Sequence, residues 1–163
     1  ATTEIYTLSL HDALPILNRV NEPHVPLAAY KEINVYKLFM LDVGLLGAMS
    51  DLDAMSILEG NDIFVEFKGA LTEQYVLQQI VSDTKYTPYY YGTEKATFEQ
   101  DFMIQMGKDV VPIEVKAETN LKSQSLKCYC EKYHPQMAIR FSAKKYIDQG
   151  WMKNIPLYAV CTL

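Results

Sequence analysis

Along residues 98–116 hydrophobic and polar positions alternate with a period of two. Phe98, Gln100, Phe102 and Ile104 alternate with Glu99, Asp101 and Met103; Val111, Ile113 and Val115 alternate with Pro112, Glu114 and Lys116. Strand side chains point to opposite faces in turn, so two strands are predicted, joined by a hairpin loop over Gln105–Asp109 with Gly107 inside it. Upstream the period lengthens to that of a helix over Phe67–Val81. Ala70, Glu73, Leu77 and Ile80 fall on one stripe, with Val76 beside them. Tyr86–Tyr91 reads as an aromatic strand, with Pro88 at an edge or first position. After the hairpin, Ser123 can cap a helix carrying Leu126, Tyr129 and Tyr133, which His134-Pro135 ends. Met137–Ser142 is a further strand, with Arg140 on the face opposite Ile139 and Phe141. Ile155–Val160 is a last one, after a turn at Gln149-Gly150.

The N-terminal third is less regular. Leu17–Tyr30 holds two prolines and reads as an extended connector. Tyr36–Leu41 is predicted as a strand. Asp42 then caps a short helix through Val43, Leu45, Leu46 and Met49, weakened by Gly44 and Gly47. Asp51–Glu59 reads as another short helix, and Gly92–Lys95 as the turn into the hairpin.

The hairpin carries the candidate chemistry. If its strands pair so that their polar faces coincide, Asp101, Glu114 and Lys116 converge. Carboxylates suit Mg²⁺, which takes oxygen ligands and keeps several waters. A lysine beside them could stabilise an attacking hydroxide or the charge that builds on a phosphate. On the local pattern alone, the solvated face of an ordinary strand is the better account, because Glu-x-Lys occurs in many sheets. Glu73 adds a carboxylate aimed along the apolar stripe of the long helix. Such a group is costly unless it is paired, hydrogen-bonded or bound to metal. It is either functional or bonded at the rim of the stripe.

Composition narrows the class. The 163 residues suffice for one domain, and 49% hydrophobic with 21% charged residues is ordinary for a globular protein. No apolar run reaches the length of a membrane span. Three cysteines, Cys128, Cys130 and Cys161, make no disulfide framework and suit a cytoplasmic location. Cys128 and Cys130 point to different faces of a helix and do not make a metal pair. The net charge of −5 is uneven: residues 1–110 carry 7 Lys/Arg against 16 Asp/Glu, and residues 111–163 carry 8 against 4. A nucleic-acid contact is therefore expected from the C-terminal part. The tyrosines of Tyr86–Tyr91 could stack on bases, although half-buried packing is the commoner use of such residues. Gly107-Lys108 is followed by Asp109, so there is no Walker-type phosphate loop and no ATPase site in this chain.

From Phe67 onward the predicted order is helix, strand, strand, strand, helix, strand. With Glu73 on the first helix, Asp101 on the second strand and Glu114-x-Lys116 on the third, the chain resembles the PD-(D/E)XK nuclease-like fold. The resemblance implies an α/β, restriction-endonuclease-like αβββαβ core with a mixed sheet and a small helical N-terminal extension. More narrowly, VYKLFMLDVGLL, KGALTEQYVLQQI, EQDFMI, VVPIEVKAE, SLKCYCEKY, IRFS and IPLYAV resemble an uncharacterised C-terminal domain, a domain of unknown function, of bacterial and archaeal AAA+-type ATPases. Gln100 departs from the apolar residue usual between the two acids of that family. The resemblance implies an ATPase module preceding this domain, so that ATP would act only through that module. It implies Asp101 and Glu114 as metal ligands, with Lys116 and Glu73 as catalytic residues. Two activities are then expected. One is a Mg²⁺-dependent phosphodiesterase on nucleic acid; the alternative is a non-catalytic module that recognises DNA or protein on the same fold.

Thr7–Ile16, TLSLHDALPI, resembles the translation of a sequencing-library adapter. Residues 1–16 are accordingly expected to be an artefact, which removes His11 and Asp12 from consideration. Residues 17–66 are expected to form a connector and N-terminal subregion of the same domain, and 67–163 the nuclease-like core.

Overall fold

The hairpin predicted at residues 98–116 forms the centre of a mixed sheet. A computed structural model of the protein describes residues 15–50, 62–92, 98–117 and 123–163, with the backbone alone over 62–66. The strands are β1 (Ile16–Val20), β2 (Lys31–Leu38), β3 (Tyr89–Tyr91), β4 (Gln100–Met106), β5 (Asp109–Lys116), β6 (Ile139–Ser142), β7 (Ile147–Asp148) and β8 (Lys153–Pro156). The helices are α1 (Val43–Met49), α2 (Asp62–Asp83) and α3 (Gln124–Tyr133), with 3-10 turns at Leu27–Tyr30 and Leu157–Thr162. The eight strands lie in the order β2-β1-β3-β4-β5-β6-β8-β7. β3, β4 and β5 form an antiparallel meander, and β6 runs parallel to both β5 and β8. The fold is mixed α/β, and α2-β3-β4-β5-α3-β6 follows the predicted order of elements.

Each face of the sheet has its own core. On one face Val76, Leu77 and Ile80 of α2 pack against Phe102, Ile104, Val111, Ile113, Val115, Ile139 and Phe141. On the other, Tyr129 of α3 packs with Tyr89, Tyr91, Met103 and Val20. Alternation along β4 and β5 thus feeds two cores, with α2 over one and α3 over the other. Ala70 is exposed, so the buried stripe of α2 begins later than its sequence pattern suggests. Gly107 takes φ +64 in the turn between β4 and β5, a conformation for which glycine is suited. That turn is tighter than the predicted five-residue loop. Pro112 sits inside β5 without disrupting the sheet, because the ladder to β6 begins one residue later, at Ile113.

The strand expected at Tyr36–Leu41 instead runs Lys31–Leu38, and three further expectations change. Leu17–Tyr30 is not an extended connector: β1 occupies its first part, between β2 and β3, with Leu17 and Val20 fully buried. Pro23 and Pro26 fall after that strand and end it rather than prevent it. The N-terminal extension is correspondingly not just helical, since it adds two strands to the sheet, and Ile16 of the adapter-like segment pairs with Leu38. Ile155–Val160 is strand only as far as Pro156, where a 3-10 turn begins, and its strand starts earlier, at Lys153. The helix expected over Asp51–Glu59 lies outside the described residues, as do His11 and Asp12. Among the described residues no helix is long and apolar enough to cross a membrane.

Candidate functional site

The start of β4 departs from simple alternation. Tyr89 pairs with Met103 but Tyr91 pairs with Gln100, so β4 holds one residue more than β3 over this stretch. Tyr89 and Tyr91 share the α3 face, which places Gln100 with Met103, not with Phe102 and Ile104 as its sequence position suggests. The ladder between β4 and β5 ends at Phe102 opposite Ile113. Beyond it, the Asp101 carboxylate takes over the role of a backbone acceptor: Oδ2 receives the N–H of Val115 at 2.8 Å. A bulge of this kind can re-aim one side chain without breaking the sheet.

Glu114 and Lys116 leave β5 on one face, as alternation predicts, with Lys116 Nζ 3.2 Å from Glu114 Oε1. Glu114 is 5% exposed, and its other carboxylate oxygen, Oε2, is buried with no hydrogen-bond partner among the described residues. Across the parallel ladder it neighbours Arg140. Burial pulls the Arg140 guanidinium below its ordinary value, and the charge of Glu114 offsets part of that. Arg140 donates to Asn154 Oδ1 and to Ser123 Oγ, both at 2.9 Å. Ser123 does stand at the N-terminus of α3, but its hydroxyl serves Arg140 and makes no cap bond to the helix.

Glu73 comes from α2, on the other face, and is half-buried rather than sunk in the core. It acts on the other acids through its charge. The Asp101 carboxyl is pushed up to about 7, chiefly by burial and also by the charges of Glu73 and Glu114, while the Val115 N–H and Lys116 act the other way. Burial also lifts the Glu73 carboxyl above its ordinary value, with Glu99 adding to it and Lys37 and Lys116 pulling the other way. Among the described residues, the charges of Glu73, Glu99, Asp101 and Glu114 meet those of Lys37 and Lys116 at this end of the hairpin, with Arg140 acting on Glu114 from β6.

Lys37 and Glu99 are the members that sequence reasoning did not assign to the site. Lys37 lies on β2, forms an ion pair with Glu99, and stands over the Tyr90 ring at 4.8 Å. No local pattern could have found it, because its position depends on β2 and β1 joining the sheet beside β3. Among the described residues, no three His, Cys, Asp or Glu side chains are grouped as a ready-made metal shell. Mg²⁺ commonly uses one or two carboxylates and retains waters, so Asp101 and Glu114 are the relevant pair. Among the described residues, the buried Glu114 Oε2 has no hydrogen-bond partner, which fits a hard divalent cation. Cys128 and Cys130 on α3 are free thiols, as is Cys161.

Comparison with known proteins adds one match. A family model described as a domain of unknown function (DUF4143) matches residues 68–160, from within α2 to the last 3-10 turn. No curated protein and no solved structure matches the chain. The matched span contains Glu73, Glu99, Asp101, Glu114 and Lys116 but not Lys37, and it covers more than half of the 163 residues. The chain belongs to the DUF4143 family of domains of unknown function.

Proposed function

We propose that this domain is a Mg²⁺-dependent phosphodiesterase-like module acting on nucleic acid, built on a PD-(D/E)XK-type core. The observation that carries the reading is the meeting of Asp101, Glu114 and Lys116 at one end of the hairpin, with Glu73 brought to them by α2. The strand order β3-β4-β5-β6 and the helices on either face support the same core. Asp101 and Glu114 would hold the cation, which supplies Lewis-acid neutralisation of phosphate charge and acidifies bound water. Lys116, with a side chain 34% exposed, can reach a phosphate oxygen and stabilise the charge that builds there as water adds to phosphorus and one P–O ester bond breaks. Glu73 orients the cluster through its charge. On the resemblance to AAA+-associated domains, an ATPase module would precede this one in the natural protein and drive or regulate it.

Calorimetry with Mg²⁺ and Mn²⁺ on the full chain, beside D101N/E114Q, tests the reading, followed by cleavage assays on labelled oligonucleotides. Binding in the parent and none in the folded double variant is the expected result. A folded parent that takes up neither ion, with or without oligonucleotide, overturns it.

One observation favours a second reading, a recognition module without chemistry. The Lys116–Glu114 ion pair and the Asp101–Val115 bond tie one oxygen of each acid into the strand frame. In that case K116A would destabilise the fold rather than abolish cleavage, because Glu114 would be left buried without its ion-pair partner.

A further inference from the structure

An acidic cluster repels a polyanion unless cations stand at its rim. Lys116 is one such cation. Lys37 is equally accessible, with 34% of its side chain exposed, the same fraction as Lys116. It projects from β2 on the α2 face, since its ladder partner Leu17 belongs to the core under that helix. From there the side chain crosses the Tyr90 ring, 4.8 Å from Nζ to the ring centre, and ends at Glu99. Burial alone would lower the Lys37 ammonium. The Glu99 carboxylate, and the charges of Glu73 and Asp101 beyond it, more than offset this and hold it above the ordinary lysine value. Glu99 itself is 49% exposed, so the pair sits at the rim of the site, where water and anions can compete for either partner.

We propose that Lys37 is a substrate-phosphate contact of the candidate site, contributed by the β1–β2 extension that lies outside the family-matched span. The inference rests on the nucleic-acid reading above and deepens it. Without substrate, Glu99 holds the ammonium over Tyr90. A backbone phosphate of the nucleic acid takes the place of Glu99 when the strand lies along the acids. Lys37 and Lys116 then flank the scissile region from two different parts of the fold.

The test is equilibrium binding of a fluorescein-labelled DNA oligonucleotide to the full chain carrying D101N, which blocks cleavage, across 50–200 mM salt. Adding K37M is expected to weaken binding several-fold at the low-salt end. It should also reduce the slope of log K against log salt by roughly 1, the signature of one lost phosphate contact. K37R should restore both, and K108M, a charge loss at the far turn of the hairpin, should leave the slope unchanged. E99Q, which releases Lys37 without removing it, should tighten binding, and this readout stands even if K37M fails to fold. Equal affinity and slope for D101N and D101N/K37M, with no gain from E99Q, overturns the role of Lys37 while leaving the nucleic-acid reading in place. Failure of D101N to bind any oligonucleotide overturns both.

Discussion

Asp101 accepts the backbone N–H of Val115 at 2.8 Å, at the point where β4 and β5 cease to pair. Its carboxyl titrates at about 7, raised mainly by burial. In an unfolded chain an aspartate titrates near 4. Between those values the folded protein keeps a proton that the unfolded chain releases. The contribution of Asp101 to stability is therefore complete below about pH 4 and is lost as pH rises through about 7, a change of ~4 kcal/mol at most. D101N keeps an oxygen for the Val115 N–H but cannot ionise. Thermal unfolding should show D101N more stable than the parent at pH 8, with the gap closing toward pH 4. A gap that does not change with pH would contradict this account.

The Asn154 side chain, on β8, ties β6 to the segment that leads into β7. Fully buried, it accepts from Arg140 Nε at 2.9 Å and from Ser142 Oγ at 2.8 Å, and it donates to the Lys145 carbonyl at 3.0 Å. N154A leaves a buried guanidinium and a hydroxyl short of an acceptor. Urea unfolding should register a loss of roughly 2–4 kcal/mol. A loss well under ~1 kcal/mol would mean that water or a shifted neighbour takes over the acceptor role.

The hydroxyls of Tyr91 and Tyr133 meet at 2.7 Å across the α3 face, and their rings pack edge to face at 5.8 Å. Y133F strands the Tyr91 hydroxyl, so the single change should cost about 1 kcal/mol or somewhat more. Y91F/Y133F removes both polar groups and should cost less than the sum of the single changes. A double-mutant cycle in urea measures the coupling, and strict additivity would show that the pair is not a working hydrogen bond.

Gln74 pairs with the backbone of Met40 as a strand would: Oε1 accepts the N–H at 2.8 Å and Nε2 donates to the carbonyl at 2.7 Å. One turn later Gln78 Oε1 accepts the Val43 N–H at 3.1 Å. These two glutamines fasten the segment after β2 to α2. Q74L preserves bulk but removes both bonds, with an expected cost of roughly 2 kcal/mol. Hydrogen exchange at residues 39–43 should accelerate in Q74L while β4 and β5 remain protected.

The elements closest to the candidate chemistry were those most legible in the chain. The period-two runs of β4 and β5 and the helical spacing of α2 and α3 arise from burial on one face, and burial is what such patterns record. Asp101, Glu114 and Lys116 followed from that alternation. What the pattern could not carry was the extra residue in β4, because a bulge is defined by the register with β3 and not by β4 alone. Simple alternation puts Gln100 on the wrong face for that reason. Lys37 carries no local signal, because its partner is 62 residues away. β1 was obscured by Pro23 and Pro26, which lie beyond its end at Val20.

β3 is three residues long and fully buried, flanked by β1 on one side and β4 on the other. The span that defines the family opens inside α2, well after β1. A polypeptide trimmed to that span would lose the strand whose Arg19 and Val20 lie against Tyr90 and Tyr91. It would also lose Leu17, Val20 and Leu27, all buried in the two cores. Three tyrosines would then flank an open ladder, which is a template for joining to other chains. Such a piece should self-associate and precipitate where the longer chain stays dispersed. Both cores thus extend beyond the segment by which the family is recognised.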